Sequence, residues 1–370
     1  MRTPRGSSSR WIISVLCGIV ILLPIRAARS QSSASPDFSL IGDIRAFTHN
    51  DPMRPRENKK FNLDLHEGEL AINGYLNPFA RADAFFSWAD GENAAIEELY
   101  FTATRGLPLG ITLKAGQYLV GFGNLNVQHP HAYSFIERPL AQQAFLGEDG
   151  LKDVGISATV ALPTGNVSTT ATVDVLKGGF LDNPGFSAQP RPNNPSFAAR
   201  AASFFSLGDF TSLQLGISGL TGVPIPDGRR WIGGVDGKFK WKPDRYRSLV
   251  VQSEWMANRE PAMMLTQSGS GAAAMTAFPQ ISANGGFVFV DYQFHQRYNT
   301  GTLIDWTEEP QNSRATRWRV GGFVGFAPVE ETSLLRFLIA YTRDRQNQRG
   351  FWSATTQLIF SLGPHKPHPF

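Results

Sequence analysis

Cysteine and long apolar runs are nearly absent from this sequence. Its 370 residues include one cysteine, Cys17, which lies inside an apolar stretch near the start. Disulfide bonds therefore cannot contribute to the stability of the chain. After that stretch no apolar run approaches twenty residues, which argues against a later membrane-spanning α-helix.

Recognisable catalytic motifs are also missing. The stretches SGS at 268–270 and VGFG at 120–123 contain ordinary loop glycines. A catalytic triad is assembled in space rather than in sequence, so a hydrolase remains the less favoured alternative. The sequence predicts no enzyme activity and no resident cofactor, with zinc as the one alternative discussed below.

The first thirty residues have the composition of a secretory signal peptide. Arg2, Arg5 and Arg10 precede an apolar run from 11 to 23, and small residues follow. Cleavage is expected after residue 30, within a window of 28–34. This segment has five arginines and no acids, so the formal charge of +4 becomes −1 without it, from 30 basic and 31 acidic residues. That balance argues against nucleic acid as a partner.

Segments of about ten residues that alternate apolar and polar side chains fill the rest of the chain. In NVSTTATVDVL, Val173 and Val175 fall on one face, and Thr172 and Asp174 fall on the other. A period of two predicts a β-strand with two different faces. One face suits hydrocarbon and the other suits water.

The connections alternate between short turns and longer polar or glycine-rich stretches. Long connections are predicted at 120–151, 220–229, 257–284 and 307–314, among others. Counting between connections gives about sixteen strands, with a bulge expected near residues 67–69 of the second strand. The predicted fold at 31–370 is all-β, a single transmembrane antiparallel β-barrel with short periplasmic turns and long outer loops. Such a barrel belongs in the bacterial, Gram-negative outer membrane, with its lipid as a partner.

The end of the chain combines an aromatic strand with a proline-rich tail at 363–370. The strand FWSATTQLIFSL must pair with the first strand, because lipid does not tolerate open sheet edges. The terminal residue, Phe370, resembles the C-terminal signature that the barrel-assembly machinery recognises. That resemblance implies the assembly machinery as a partner.

Charged residues on the predicted strands must face the lumen or lie outside the membrane, because a charge in lipid costs on the order of 2–4 kcal/mol. The loop 120–151 follows the fifth strand. In its position it resembles the loop of sixteen-stranded porins that folds inward and narrows the channel. The candidates to line the pore are Arg81, Asp83, Lys114, Glu137, Arg138, Glu148, Asp149, Asp236, Lys238, Arg317, Arg319 and Arg336. The alternative is that many of them only solvate a wide lumen.

Two histidines in QHPHAY are the candidate metal ligands. His129 and His131 flank a proline, and Glu137 and Glu148 lie in the same loop. Imidazole is a common zinc ligand, but two histidines without a defined third ligand are a weak pattern. Structural histidines are the alternative interpretation.

Two motifs carry a more specific resemblance. The segment AGQYLVGFGNLNVQHPHAYSFIERPLAQQAFLGEDGL and the ending LGPHKPHPF resemble an uncharacterised family labelled hypothetical zinc-regulated TonB-dependent outer-membrane receptor. That label implies energy-coupled uptake. Plugged outer-membrane transporters have 22 strands, whereas about sixteen are predicted here.

The function expected from these patterns is a porin-like channel for passive diffusion of small hydrophilic solutes or ions. The alternatives are substrate-specific uptake of zinc or a zinc complex, and a structural barrel that conducts nothing. A homotrimer is expected by analogy with sixteen-stranded porins.

Overall fold

The structure is a computed structural model that describes residues 35–51, 61–178, 194–225, 228–267, 273–329, 332–344 and 349–363. They belong to one compact unit that begins at Ala34. The predicted signal peptide at 1–30 and Phe370 lie outside the described residues. Within the described part of the chain, no helix is long and apolar enough to cross a bilayer.

Sixteen antiparallel strands form one closed barrel in which each strand pairs with its neighbours in sequence. The predicted all-β barrel fold is therefore confirmed. The strands are β1 (Asp37–His49), β2 (Asn62–Asn77), β3 (Ala80–Trp88), β4 (Ala95–Ala103), β5 (Thr112–Leu119), β6 (Lys152–Leu162), β7 (Ser168–Leu176), β8 (Ser196–Ser206), β9 (Thr211–Ile225), β10 (Gly228–Trp241), β11 (Ser248–Gln267), β12 (Ala273–His295), β13 (Tyr298–Glu309), β14 (Asn312–Val329), β15 (Ser333–Asp344) and β16 (Arg349–Leu362).

The first and last strands close the barrel. Leu40 pairs with Leu362, and the register continues without a break to His49 opposite Ser353. Every strand therefore has two partners, and the sheet has no open edge. The odd-numbered strands run from the short-turn end of the barrel to the end that carries the connection after β1 and the one after β5, called here the long-loop end.

Side chains alternate between the two surfaces of the barrel. On β7, Val173 and Val175 face outward, whereas Asp174 and Leu176 are buried inside. The outward surface is rich in exposed aliphatic and aromatic side chains, and the inward surface has most of the buried charges. This is the alternation that the sequence predicted, with its period of two.

Three of the predicted long connections are wrong. β9 continues to Ile225 and β10 begins at Gly228, while β13 and β14 are separated only by residues 310 and 311. The stretch at 257–284 is mostly strand, because β11 and β12 remain paired as far as Gln267 opposite Ala273. Backbone pairing does not require apolar alternation, so polar and glycine-rich segments can form strands although their composition is typical of loops.

Two strands contain register shifts that matter for the interior. On β2, Asp43 pairs with Glu67 and Ile44 pairs with Leu65, so His66 is the extra residue, one position before the interval where a bulge was expected. On β4 the shift falls at Glu97. A bulge turns two consecutive side chains to the same face of a sheet.

Candidate functional site: a loop inside the barrel

Residues 120–151, called here the lumen loop, connect β5 to β6 and lie inside the barrel. The loop contains a 3-10 turn at Pro130–Ala132 and a short helix, α1, at Leu140–Leu146. Its apolar residues are among the most buried of the chain: Val120 and Ala141 have no exposed surface. The loop therefore occupies the interior as a packed element.

Two apolar clusters join the lumen loop to opposite arcs of the wall. Phe122 and Phe145 pack in one cluster with inward residues of β2 to β12. Tyr133, Phe135 and Ile136 pack in the other with residues of β12 to β15. In the second cluster the ring centroids of Phe135 and Phe289 are 4.9 Å apart. Because both arcs are engaged, the loop spans the lumen.

Glu254 of β11 is a polar anchor of the loop. Its Oε1 accepts the backbone N–H groups of Asn124 at 2.8 Å and Leu125 at 2.7 Å, and its Oε2 accepts Nε2 of Gln142 at 2.6 Å. The residue is 3% exposed. One buried carboxylate thus satisfies donors from two parts of the loop, which a neutral apolar wall could not do.

Arg319 of β14 and Asp305 of β13 form a second anchor. Arg319 Nη2 lies 2.7 Å from Asp305 Oδ2, and Nη1 pairs with Glu137 of the loop. Asp305 also contacts the first residue of α1, since its Oδ2 accepts the Leu140 N–H at 2.8 Å. Arg319 also donates to the Arg138 carbonyl at 2.9 Å. The chain of contacts fixes the start of α1 against the wall.

Arg138 stabilises the loop from within. Its guanidinium donates to Asn126 Oδ1 at 2.8 Å, Gln142 Oε1 at 2.9 Å and the Tyr133 hydroxyl at 2.5 Å. It is 7% exposed. Its position indicates a structural role in the loop, because its donors are directed at loop atoms.

A cavity of about 730 Å³ lies between the lumen loop and the long-loop ends of β1, β2 and β14 to β16. We call it the vestibule. Its lining carries both signs of charge, including Glu148, Asp149, Arg317 and Arg349. A charged, water-accessible chamber at a barrel mouth can select solutes by charge.

His129 lies at the centre of a group of carboxylates. Its Nε2 is 2.9 Å from Glu98 Oε1, and its Nδ1 is 3.0 Å from Glu69 Oε2 and 3.5 Å from Glu97 Oε2. His129 is on the loop, outside the strands. Burial alone would lower its pKa, but the facing carboxylates of Glu69, Glu97 and Glu98 outweigh burial and hold that pKa well above its ordinary value.

The strand bulges place these carboxylates. Glu67 and Glu69 are two apart on β2 and share the inward face. Glu97 and Glu98 are neighbours in sequence, yet both are buried, at 4% and 5% exposure, because β4 bulges at Glu97. Sequence reasoning missed all four. The acidic doublet in IEEL and the spaced pair in HEGEL were the available signals, since a charge on a barrel strand must face inward.

His131 also meets strand carboxylates. Its Nδ1 lies 3.5 Å from Glu67 Oε2 and 3.8 Å from Glu69 Oε2. The two loop acids that the sequence offered as companions lie elsewhere: Glu137 pairs with Arg319, and Glu148 lines the vestibule. The histidines therefore meet acids that are distant in sequence.

The predicted lining residues all belong to the inward face or to the loop, but they do not form one ring. Arg81 pairs with Asp83 at 2.5 Å, and Asp236 pairs with Arg200 of β8 at 2.5 Å. Lys238 shares the inward face of β10 with Asp236. Glu137, Arg138 and Arg319 form the loop anchors described above, and Glu148, Asp149 and Arg317 line the vestibule.

Two further predicted residues make contacts with aromatic or backbone groups. Lys114 Nζ lies over the ring of Tyr100, 4.4 Å from its centroid. Arg336 donates to the Tyr133 carbonyl at 2.5 Å and to Gln357 at 2.9 Å. Both are engaged with the protein itself. A role of the predicted set in solute selection stays a prediction.

Comparison with known proteins finds a similar fold in several solved structures and a distant similarity in sequence to a curated protein. No protein-family model matches the chain. An uncharacterized protein of Aquifex aeolicus (strain VF5) is 27% identical over 350 residues, which cover 85% of this chain and 71% of that protein.

Several solved structures share the barrel. The anion-selective porin from Comamonas acidovorans matches with a TM-score of 0.58 at 8% identity, covering 89% of this chain and 99% of that one. The outer membrane channel DcaP of Acinetobacter baumannii matches with a TM-score of 0.56 at 10% identity, covering 90% and 99%. The trimer form of OmpT, an outer membrane protein of Vibrio cholerae, gives 0.56 at 6% identity, covering 89% and 100%. At such identities the likeness concerns the fold, and the resemblance to a zinc-regulated TonB-dependent receptor finds no support here.

Proposed function

We propose that this protein is a bacterial outer-membrane channel through which small hydrophilic solutes or ions diffuse passively. The observation that carries the proposal is a closed sixteen-stranded barrel with an apolar outer surface and a charged interior. Closed barrels are one of the two structures that leave no backbone group unpaired in lipid.

The outer surface supports placement in a bilayer. Aliphatic side chains around the barrel are between 47% and 63% exposed, namely Ile156, Val173, Ile217, Val235, Ile304, Val324 and Ile339. A continuous apolar surface of this extent would make a protein aggregate in water. In a bilayer it is in contact with hydrocarbon.

Exposed aromatic side chains gather toward both ends of the barrel. Trp231, Trp306 and Trp352 lie toward the long-loop end, while Phe210 and Tyr246 lie at the short-turn end. Such aromatic belts are typical at the two lipid–water interfaces of outer-membrane barrels. The two belts support a transmembrane orientation with the vestibule at one membrane surface.

The interior supports a restricted path. The lumen loop crosses the barrel, and the vestibule lies on the long-loop side of it. A solute that enters the vestibule meets charges of both signs before it meets the loop. The names of two structural neighbours, an anion-selective porin and an outer membrane channel, agree with a channel, although the likeness extends to the fold only.

The test is single-channel recording in planar bilayers. The protein is extracted from the outer membrane of an expressing bacterium, alongside a variant in which residues 124–147 are replaced by a short glycine–serine linker. We expect reproducible conductance steps from the wild type. We expect larger steps from the variant, because the loop that Glu254 and Arg319 hold across the lumen is then absent.

Two results separate the competing functions. If both proteins insert, show the heat-dependent mobility of a folded barrel and conduct nothing, the channel is disproved and a structural barrel is favoured. If conductance is absent but zinc flux into proteoliposomes saturates, selective uptake of zinc or a zinc complex replaces passive diffusion.

A further inference from the structure

Four metal-ligating side chains from three parts of the chain converge inside the barrel. The donor atoms of Glu67, Glu69, Glu97 and His129 all lie within 4.8 Å of one another. We propose that these residues bind one divalent transition-metal ion, which ties the lumen loop to β2 and β4. The site does not depend on whether the barrel conducts.

The distances suit a shared ion. Four ligands placed tetrahedrally at about 2.0–2.1 Å from zinc lie about 3.3 Å from each other. Nδ1 of His129 is 3.0 Å from Glu69 Oε2 and 3.5 Å from Glu97 Oε2. The four ligand atoms lie within 4.8 Å of one another, which is wider than the tetrahedral spacing, so we expect the side chains to rotate inward when the ion binds.

Three of the donors are buried oxygen atoms that receive no hydrogen bond from the described residues: Oε2 of Glu67, Oε2 of Glu69 and Oε2 of Glu97. The residues are 7%, 1% and 4% exposed. His129 Nδ1 likewise makes no hydrogen bond to the described residues, although it lies 3.0 Å from Glu69 Oε2. A buried carboxylate oxygen that receives no hydrogen bond destabilises the fold, whereas a cation between the carboxylates removes that cost.

His129 is oriented as metal-ligating histidines usually are. Glu98 Oε1 lies 2.9 Å from its Nε2. With the proton on Nε2, the lone pair of Nδ1 is free to bind a metal ion on the side that faces Glu69 and Glu97. A carboxylate behind a ligating imidazole fixes the tautomer and the ring direction. Phe85 of β3 stacks on the ring with centroids 4.8 Å apart, which restricts its rotation further.

The alternative occupant of this space is a proton on His129. One imidazolium supplies a single positive charge among the carboxylates of Glu67, Glu69, Glu97 and Glu98. A divalent ion supplies twice that charge and accepts a lone pair from each ligand in directions that a single N–H cannot cover. The donor geometry therefore favours the ion.

The donor set indicates the class of ion. One imidazole and three carboxylates, with no thiolate, suit Zn²⁺, Mn²⁺ or Fe²⁺ better than Ca²⁺, which prefers oxygen ligands only. The second histidine of the loop, His131, lies 3.5 Å from Glu67 Oε2 and can widen the set. Since no ligand is more than 9% exposed, the ion is enclosed and held rather than passed along a water-filled path.

The first experiment measures metal content and affinity of the full protein purified from outer membranes. After chelator treatment, Zn²⁺ is returned and bound metal is counted by mass spectrometry, with Ca²⁺ as the contrasting probe. We expect one Zn²⁺ per chain and none of the Ca²⁺. His129→Ala and Glu69→Gln should abolish stoichiometric binding, and Glu98→Gln should weaken it by about 10–100-fold.

Matched controls separate this site from other zinc ligands. Asp291→Asn removes an inward carboxylate of β12 that bonds Asn299 instead. His365→Ala with His368→Ala removes the histidines of the C-terminal tail. Both control proteins should bind zinc as the wild type does. Unchanged binding in His129→Ala and Glu69→Gln, or loss of binding in the tail variant, would overturn the proposal.

A measurement on the wild type decides the matter if the ligand variants do not fold. X-ray absorption of the zinc-loaded protein should show a shell of oxygen with one or two imidazoles at about 2.0–2.1 Å. Three or more imidazoles would indicate binding by other histidines and would refute the site. Zinc should also slow hydrogen exchange of residues 126–136, and an unchanged exchange rate would refute the tie between loop and wall.

Discussion

The carboxylate of Glu254 on β11 lies where a side chain at residue 123 of the lumen loop would have to be. An added Cβ at Gly123 would overlap that carboxylate, and the φ of +63° at this residue is itself a conformation that favours glycine. The next two residues donate their backbone N–H groups to the same carboxylate. Close approach at Gly123 is therefore what lets one buried acid hold the loop.

Removing this acid should loosen the loop. Glu254→Ala leaves two backbone N–H groups and the Gln142 amide without their acceptor, at about 1–3 kcal/mol for each orphaned group. We expect faster hydrogen exchange over residues 122–128, measured by mass spectrometry, with Glu254→Gln intermediate because it keeps one acceptor oxygen. Asp291→Asn serves as the control. Equal exchange in Glu254→Ala and wild type would show that the apolar clusters alone hold the loop.

Neutralising the acids of the vestibule should change its ion preference. Glu148→Gln combined with Asp149→Asn leaves the arginines at 317 and 349 in the lining without these neighbours. If the barrel conducts, the reversal potential in a KCl gradient should move toward anion preference. Asp244→Asn, in the exposed turn between β10 and β11, should not move it. A shift of equal size in both proteins would mean that overall charge, not the vestibule, sets the preference.

Two adjacent positions on β7 test the assignment of the outer surface. Val173 is 55% exposed on the outer surface, whereas Thr172 faces inward and bonds the Thr159 hydroxyl at 2.9 Å. Val173→Lys should lower the free energy of unfolding in lipid by about 2–4 kcal/mol at midplane depth and less near an interface. Thr172→Lys should cost about 1 kcal/mol, the worth of one hydrogen bond. Denaturant titration of barrels folded into vesicles measures both, and the reverse order would contradict the assignment.

Chelation should lower the thermal stability of the barrel if Glu67, Glu69, Glu97 and His129 bind an ion. A ligand present at a hundred times its dissociation constant adds about 2.7 kcal/mol to the folded state. We therefore expect a chelator to reduce the melting temperature of the wild type and to leave that of Glu69→Gln unchanged. Circular dichroism melts before and after readdition of zinc provide the measurement. An identical drop in both proteins would place the stabilising ion elsewhere.

Local pattern was enough to predict the fold class. Alternation along each strand, as at 172–175, depends only on neighbours in sequence, and the two surfaces of a barrel impose that period directly. The segments 220–229, 257–284 and 307–314, predicted as long connections, are largely strand, and their side chains do not alternate clearly between apolar and polar. Strand pairing through backbone groups proceeds there without an apolar face to reveal it.

The sequence by itself determined the barrel, a count of about sixteen strands and the inward direction of the charged residues. The barrel and the direction follow from the period of two and from the cost of charge in lipid. The count depends on the connections, three of which are much shorter than the sequence predicted. Tertiary structure alone decided that His129 meets Glu69, Glu97 and Glu98 rather than acids of its own loop. The physical reason is closure: bending the sheet into a ring and folding the loop into it unite residues that are far apart in sequence. The bulges at His66 and Glu97 then direct the carboxylates to one point. The first lies one position from the interval that the sequence predicted, whereas no change in the apolar pattern marked the second.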